Sequence, residues 1–449
     1  MAASGSVMRN HRLTLVWVIG LAALTGGGVL VYISNSPSTQ GITAIEREVA
    51  EIRGRPFKQP VALNYLTHEE ALADLQAQVA AKEPLPAHYG KIVRMLGLYK
   101  GPEIADVNAM RTNLLKAKGV HGFGFYDSDR HAMFIERGAS EWALAALYPH
   151  ELYHGFQDQY FDLGSYYSDR LADGSLNADE LLARRAVVEG EASYVQILVH
   201  VMRAMEQVPT RQMVAPMVRM QSELDRDAMT AMLQRKDLAA PFRQRIQERL
   251  DASRGVPAFL SDLFDDAYRN GLAFVYAVHG RGWEEVEKLF AEYPPASTEQ
   301  ILHPEKWFSR EAPTRIEWAT FDTNPLFAGW EMLDQNVLGE ARWRVVFREY
   351  GLGADAVAAA SGWNGDDYAV FMRKADDALL LLWHTSWDTD ADAVEFASAY
   401  RRLLEMKYAD APQPTRVQER GRNVFIVEGA EKASIDAFMD FVAAQSGRR

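Results

Sequence analysis

Cysteine is absent from this chain of 449 residues. The absence excludes disulfide bonds, thiolate zinc sites and a cysteine nucleophile. A metal ion would have to be held by some of the 11 histidines and the 61 aspartates and glutamates. The search for a metal site therefore reduces to patterns of histidine and carboxylate.

Basic residues are in the minority. The 48 lysines and arginines are outnumbered by 61 acidic residues, which gives a formal net charge of −13. Proteins that bind phosphate backbones present clustered positive charge, so we expect no nucleic-acid partner. Hydrophobic residues at 48% and charged residues at 24% are typical of a globular protein. That composition excludes a disordered, a collagen-like or a polytopic membrane protein.

One long uncharged run lies near the N-terminus, from Leu13 to Ile33. At 1.5 Å per residue, a helix of that length spans about 31 Å, which is enough to cross a bilayer. Arg9 and Arg12 precede the run, which predicts a cytoplasmic N-terminus. We therefore expect a single-pass protein of the cytoplasmic (inner) membrane, with its bulk in the periplasm or outside the cell. The alternatives are a cleaved signal peptide and a buried core helix.

The remaining pattern divides the chain into segments. Residues 1–40 hold the predicted anchor and a polar linker, and residues 41–120 are mostly helical and are expected to pack on the next segment. Residues 121–314 begin with two short strands and continue as helices. Residues 315–449 repeat a strand, strand, helix order, which is typical of a small α+β domain. The predicted fold class is α+β, largely helical.

The clearest chemical motif is H-E-x-x-H at His150–His154, inside a predicted helix over residues 139–160. Histidines four residues apart lie on one helix face, so both imidazoles can reach one cation. Glu151 projects about 100° around the helix, where it can act as general base toward an activated water. Two imidazoles, one carboxylate and an open position make the usual catalytic zinc site, so we expect Zn²⁺ as cofactor. Pro149 is a departure, because proline inside a helix removes a hydrogen bond.

A third ligand is expected from a second predicted helix over residues 178–206. That helix carries Glu189-Gly190-Glu191, and one of its glutamates would reach the histidines if the two helices cross. Glu189 is favoured, although it could instead pair with Arg185, and Glu191 stays open as an alternative. Gly190 would permit close packing against the histidine helix.

Asp158 is a candidate supporting residue. It follows His154 by one helical turn, and its carboxylate could accept a hydrogen bond from a ligand histidine and fix the tautomer. A plain surface aspartate is the alternative.

These motifs resemble those of known proteins. The run HELYHGFQDQ at residues 150–159, followed by EGEA at residues 189–192, looks like the gluzincin metallopeptidases, in which a later glutamate completes the H-E-x-x-H site. The chain is similar in particular to largely uncharacterised envelope proteins of bacteria and archaea. Those proteins share the motifs HELxHxxQDQ and STEQILHPEK, the second found here at Ser297–Lys306, and a GFYD strand, found at Gly124–Asp127. The resemblance covers most of the chain after about residue 45.

The resemblance implies a zincin-like metallopeptidase domain in residues 121–314 and assigns the E-G-x-A glutamate, Glu189, as a ligand. It also implies an edge strand that pairs with the substrate backbone, either residues 122–126 or residues 132–135. Tyr268-Arg-Asn-Gly271 matches the Y-x-x-G motif of membrane alanyl aminopeptidases, whose tyrosine stabilises an oxyanion. The glycine-rich exopeptidase loop of those enzymes has no counterpart here, which favours an endopeptidase.

The sequence thus predicts a zinc peptidase acting on a peptide or protein outside the cytoplasmic membrane. His150, His154 and Glu189 would hold zinc, and Glu151 would be the base. The oxyanion donor would be Tyr268, unless that ring is only core packing, or His303, which lies in a loop-like stretch and could equally be a surface histidine. The rival hypotheses are a non-catalytic envelope binding protein that keeps a zincin fold, and a structural zinc site. Oligomeric state has no signal in the sequence.

Overall fold

The computed structural model describes residues 39–71, 73–74, 77, 88–107, 109–110, 124–138, 141–168, 176–236, 238, 240–252, 254, 256–353 and 355–448. The helices, numbered in chain order, are α1 Thr39–Arg53, α2 Tyr89–Met95, α3 Glu141–Phe161, α4 Leu163–Ser168, α5 Ala178–Met205, α6 Arg211–Glu223, α7 Arg226–Leu233, α8 Ala240–Ala252, α9 Ala258–Val278, α10 Trp283–Ala291, α11 Thr298–Leu302, α12 Pro304–Phe308, α13 Gly339–Glu349, α14 Asp355–Ala360, α15 Asp390–Lys407 and α16 Ile435–Ala443.

The strands are β1 Ala62–Leu66, β2 Gly124–Asp127, β3 Ala132–Glu136, β4 Arg315–Glu317, β5 Trp330–Asn336, β6 Trp363–Arg373, β7 Leu379–Trp387, β8 Thr415–Arg420, β9 Asn423–Glu428 and β10 Ser446–Arg448. They form a three-stranded sheet in the order β1-β3-β2, an antiparallel five-stranded sheet in the order β5-β6-β7-β9-β8, and a pairing of β10 with β4. In the small sheet β1 runs parallel to β3 and β2 runs antiparallel to it. The predicted α+β, largely helical class is confirmed.

Buried side chains form two main clusters. We call the first the helical core; it combines α1, β3, α3, α5, α9 and α10. We call the second the sheet core; it packs α2, α13 and α15 against the five-stranded sheet, whose other face is covered by α16. The segment predicted as one N-terminal unit contributes to both, because Ile45 and Val49 lie in the helical core and Ile92 and Val93 in the sheet core.

Two long helices give the helical core its frame. The α5 helix begins with a reciprocal capping box, in which Asn177 accepts the N–H of Glu180 and the Glu180 side chain accepts the N–H of Asn177. The α3 helix remains helical on both sides of Pro149, so this proline does not end the helix. Both helices can therefore present side chains at regular intervals toward each other.

The described helices contradict the predicted membrane anchor. In the residues given above, no helix combines the length and the apolar character that crossing a bilayer requires. The long helices carry charges in their interiors, such as Glu189 and Glu191 in α5 and Asp266 in α9, and burying such charges in hydrocarbon is costly. The expected span Leu13–Ile33 lies outside the described residues. We therefore withdraw the single-span anchor and the inner-membrane location.

Candidate metal centre

The two histidines of the H-E-x-x-H motif lie one turn apart on α3. The rings of His150 and His154 meet edge to face with their centroids 4.7 Å apart, and their Nε2 atoms are 3.1 Å apart. Gly155 lets this part of the helix approach β1, since a Cβ there would come within 2.7 Å of Val61 Cγ2. The residue that follows the motif thus packs against Val61, which directly precedes β1.

Glu189 reaches the histidines from α5. Its Oε2 atom is 3.2 Å from Nε2 of His150 and 3.5 Å from Nε2 of His154. Among the described residues this is the one group of three or more histidine or carboxylate side chains whose potential ligand atoms lie within 4.8 Å of one another. The structure therefore brings together the three residues predicted as ligands.

Two glycines hold α5 against α9 beside Glu189. A Cβ on Gly190 would lie 2.1 Å from the carbonyl carbon of Gly271, and a Cβ on Gly271 would lie 1.9 Å from the carbonyl oxygen of Ala186. Any side chain at either position would overlap backbone, so only glycine fits. Gly190 therefore packs against α9, and not against the histidine helix as the sequence suggested.

The three ligand atoms have separations that suit a small tetrahedral cation. With zinc–ligand bonds of about 2.0–2.1 Å, neighbouring ligands of a tetrahedron are about 3.3–3.4 Å apart. The observed separations of 3.1, 3.2 and 3.5 Å lie on either side of that value. No fourth histidine or carboxylate joins the group in the part of the chain that the structure describes, so a tetrahedral site would keep one open position. The residues present fit zinc.

The electrostatics of the group favour positive charge. Burial lowers the pKa of His154, but the hydrogen bond and charge of Glu189, together with the charge of Glu151, outweigh burial and raise this pKa to about 9. Burial alone would raise the pKa of Glu189, yet the two imidazoles hold it well below its usual range. The cluster thus attracts a cation, either a proton or a metal ion.

Glu151 lies beside the ligand group and outside it. Its Oε2 accepts the backbone N–H of Tyr126 in β2 at 3.0 Å. Since β2 is an outer strand of the small sheet and β3 is the central one, residues 124–127 are the better match to the predicted edge strand, and residues 132–135 are not at an edge of this sheet. Glu151 therefore stands between the histidines and an outer strand.

Tyr268 packs against one side of the His150, His154 and Glu189 cluster. Its ring stacks on that of His150, with centroids 5.8 Å apart and planes inclined by 21°. Burial, followed by the charge of Glu189, raises the pKa of the phenol well above its ordinary value of 10. The hydroxyl is consequently a proton donor at neutral pH.

His303 is not brought to the cluster. Its Nε2 is 3.1 Å from Glu340 Oε1 in α13. The neighbouring α11 is docked on the start of α5, where the Thr298 hydroxyl donates to Asp179 at 2.6 Å. Asp179 precedes Glu189 by nearly three turns, about 15 Å along the helix axis. His303 therefore lies at the contact between the end of α11 and α13, and we do not retain it as a site residue.

Asp158 forms hydrogen bonds to the small sheet and not to the ligand histidines. Its Oδ2 accepts from the Tyr126 hydroxyl and from Nδ1 of His131, both at 2.7 Å. The side chain that does bond a ligand histidine is its neighbour Gln157, whose Oε1 is 2.8 Å from Nδ1 of His154. Sequence reasoning missed Gln157, although its position three residues after His154 places it on a neighbouring part of the same helix face.

Glu191 is fully buried behind the ligand group. Its carboxylate accepts from the Tyr153 hydroxyl at 2.7 Å and from Nε2 of Gln157 at 2.8 Å, and it lies 3.4 Å from the Arg53 guanidinium. With its oxygens engaged in this way, Glu191 is not one of the three converging ligands.

Comparison with known proteins gives one family match, which lies outside the ligand residues. Residues 326–439 match the model of a domain of unknown function (DUF8575), which covers about a quarter of the chain and lies in the sheet-containing C-terminal part. No curated protein and no solved structure matches the chain. The matched residues do not include His150, His154 or Glu189.

Proposed function

We propose that this protein is a zinc-dependent peptidase in which His150, His154 and Glu189 hold the metal. The observation that carries the proposal is the convergence of two imidazole nitrogens and one carboxylate oxygen at 3.1–3.5 Å. A bound zinc ion would supply Lewis acidity, polarising a carbonyl and activating water at the open position. The zincin-like character of the domain is part of this proposal.

Glu151 is assigned as the general base. It directly follows His150 on α3, and its charge contributes to the raised pKa of His154. Its Oε2 is anchored by the N–H of Tyr126, which holds the carboxylate between α3 and β2. A carboxylate fixed in this way can accept a proton from the attacking water and pass it to the leaving amine.

Tyr268 is assigned as the oxyanion donor. Its protonated hydroxyl belongs to a ring that stacks on His150, and Glu189 is close enough to affect its pKa. Loss of one oxyanion donor typically slows catalysis by about 10²–10³-fold. Tyr268→Phe should therefore reduce turnover by that factor while zinc content and melting temperature stay unchanged; full activity of this variant would remove the tyrosine from the mechanism.

The substrate class follows from the outer strand. A peptide in extended conformation can pair with an outer strand of a sheet, and among the described strands β2 is an outer strand that α3 contacts through Glu151. A peptide or protein is therefore the substrate that this arrangement suits best.

The deciding experiment compares Glu151→Gln with the wild type. The variant should keep about one zinc ion per chain and lose hydrolysis of a mixed peptide library by several orders of magnitude, because the amide cannot accept the proton. Glu395→Gln, on an exposed part of α15, is the matched control and should behave as wild type. Equal hydrolysis by wild type and Glu151→Gln would refute the catalytic assignment.

A metal-binding protein without hydrolytic activity is the second candidate. The hydrogen bond from Tyr126 N–H to Glu151 favours it, because this bond by itself is a structural role for the carboxylate that requires no catalysis. In that case wild type would bind zinc and cleave nothing, and Glu151→Ala, which removes the acceptor of the Tyr126 N–H, would lower the melting temperature. A closed structural zinc site is disfavoured, since the group found among the described residues has three members.

A further inference from the structure

A buried polar chain leads from the metal centre to the N-terminal helix. It starts at Nδ1 of His154, which faces Oε1 of Gln157 at 2.8 Å. An imidazole that binds metal through Nε2 must carry its proton on Nδ1, and an acceptor at Nδ1 selects that tautomer. Gln157 can play this part only if its oxygen, and not its amide nitrogen, faces the ring.

The surroundings of Gln157 decide which way its amide points. Its Nε2 donates to the carbonyl oxygen of Val188 at 3.1 Å and to Oε2 of Glu191 at 2.8 Å. Both partners are acceptors only, so a flipped amide would set oxygen against two oxygens and nitrogen against the N–H of His154. The side chain is fully buried, which makes such a mismatch costly.

Glu191 is in turn fixed by groups from two other elements. The Tyr153 hydroxyl donates to its Oε1 at 2.7 Å, and the guanidinium of Arg53 lies 3.4 Å from the same oxygen with both side chains wholly buried. Arg53 is the last residue of α1, and its guanidinium lies over the ring of Trp283 with 4.1 Å to the centroid. The N-terminal helix thus brings a buried guanidinium to Glu191, whose two oxygens accept hydrogen bonds from Tyr153 and Gln157.

We propose that Arg53, Glu191 and Gln157 form a positioning relay that sets the tautomer of His154 and so prepares its Nε2 for the metal. Each link has a defined polarity: the cation fixes the carboxylate, the carboxylate fixes the amide, and the amide oxygen fixes the imidazole proton. The inference rests on the metal site of the proposed function and does not require that the site be hydrolytic. It makes α1 a part of the metal centre although Arg53 contacts no ligand directly.

The first experiment measures Zn²⁺ affinity by chelator competition for Gln157→Met and Gln159→Met. Methionine has similar volume but no strong acceptor, so the first variant should bind Zn²⁺ about 10–100-fold more weakly, as losses of groups behind metal ligands typically do. Gln159 lies on the same helix and bonds residues 58 and 59, so its variant should bind as wild type. The His154 Nδ1–H resonance, followed by ¹⁵N NMR of the Zn²⁺-loaded protein, should weaken or disappear only in Gln157→Met.

The second experiment reverses the polarity of the central link. Glu191→Gln leaves one oxygen for the two donors Tyr153 and Gln157 and removes the charge that faces Arg53. Gln157→Glu sets two carboxylates side by side, so each single variant should lose Zn²⁺ affinity. The double variant Gln157→Glu/Glu191→Gln restores an acceptor toward His154, a hydrogen bond between the two side chains and a single negative charge. It should bind Zn²⁺ more tightly than either single variant, although less tightly than wild type because the Val188 carbonyl then faces a carboxylate oxygen; a merely structural role would not produce this coupling.

The outcomes separate this inference from the proposed function. Wild-type Zn²⁺ affinity and an unchanged Nδ1–H resonance in Gln157→Met would overturn the relay and leave the metal site standing. If Gln157→Met does not fold, a double variant that binds Zn²⁺ no better than the single variants overturns the relay. Failure of the wild type to bind Zn²⁺ would overturn both, whereas binding without peptide hydrolysis would overturn the peptidase alone.

Discussion

The helical core and the sheet core both bury charged groups, but only one of them leaves acceptors facing each other. In the sheet core, Asp366 accepts from the indoles of Trp343 and Trp383 and from the backbone N–H groups of Leu338 and Gly339. Each oxygen of that carboxylate has its own donors. In the helical core, the oxygen of Glu189 meets two imidazole nitrogens that also face each other.

This difference separates structural from functional burial of charge. A saturated carboxylate such as Asp366 needs nothing further, and its role is to join the strand to the helix that covers it. Unsaturated acceptors placed within hydrogen-bond distance repel one another until a proton or a metal ion lies between them. The family match covers Asp366 and does not include the three converging ligand residues, so similarity to a known family and the candidate metal centre are found in different regions.

The largest expected effect sharpens the contrast inside the helical core. Glu189→Ala should weaken zinc binding by about a thousandfold or more, because it removes a bond and a neutralising charge from the metal. Glu191→Ala should weaken zinc less, but it should lower the free energy of unfolding by about 1–3 kcal/mol, because the buried Tyr153 hydroxyl and Gln157 amide lose their acceptor and Arg53 keeps only its pair with Glu287. Chelator titration ranks the two variants by zinc affinity, and urea denaturation ranks them by stability. If Glu191→Ala lost zinc more readily than Glu189→Ala, the roles of the two glutamates would be exchanged.

Substitution of the saturated carboxylate Asp366 should lower stability without affecting zinc binding. Asp366→Ala leaves indole and backbone N–H groups buried without an acceptor, so the free energy of unfolding should fall by about 2–4 kcal/mol. Zinc affinity should not change, because the sheet core contributes no ligand. Asp366→Asn keeps one acceptor oxygen and should lose less stability; loss of zinc in either folded variant would contradict the division between the two cores.

Proton competition tests whether the unsaturated cluster exchanges a proton for the metal. The pKa of His154 is raised to about 9 in the metal-free protein, so below that pH its imidazole must lose a proton before zinc can bind. Apparent zinc affinity should therefore rise about tenfold per pH unit between pH 6.5 and 8.5 and level off above about 9. Calorimetry in buffers of different ionisation enthalpy should detect the released proton, and a flat affinity profile would show that the cluster is not protonated when empty.

The smallest expected effect concerns a histidine of the helical core outside the metal centre. Burial, with the charges of Arg53 and Arg211, lowers the pKa of His279 to about 4, against an unfolded value near 6.5. Its neutral form therefore contributes stability that is present above pH 6.5 and is lost as the pH falls toward 4. His279→Gln should flatten the stability curve in that window, measured by denaturation at several pH values.

Local pattern predicted most of the elements around the site. The histidine helix was expected over residues 139–160 and is Glu141–Phe161, and the glutamate helix was expected over 178–206 and is Ala178–Met205. These predictions succeed because helix periodicity and capping are short-range properties. The strand pair at β2 and β3 was predicted for the same reason, from alternation around a turn.

The supporting residues were harder to predict because they depend on how helices cross. Asp158 and Gln157 are neighbours on α3, yet one faces the sheet and the other faces α5. The partner of Gly190 is a glycine on α9, distant in sequence. His303 was considered because of its loop-like setting, which carries no information on what the loop packs against.

The sequence by itself determined the ligand types, their spacing on one helix and the absence of thiolate chemistry, because these are properties of residues within one or two turns of each other. Only the tertiary structure decided that Glu189 and not Glu191 meets the histidines, that Tyr268 stacks on His150, and that Arg53 from α1 stands behind the site. Those choices depend on the crossing of α3, α5 and α9, and the close approach of α5 and α9 requires glycine at positions 190 and 271. Such close contact between distant segments leaves no periodic signal in the sequence, since each helix shows only a single glycine at the point of contact.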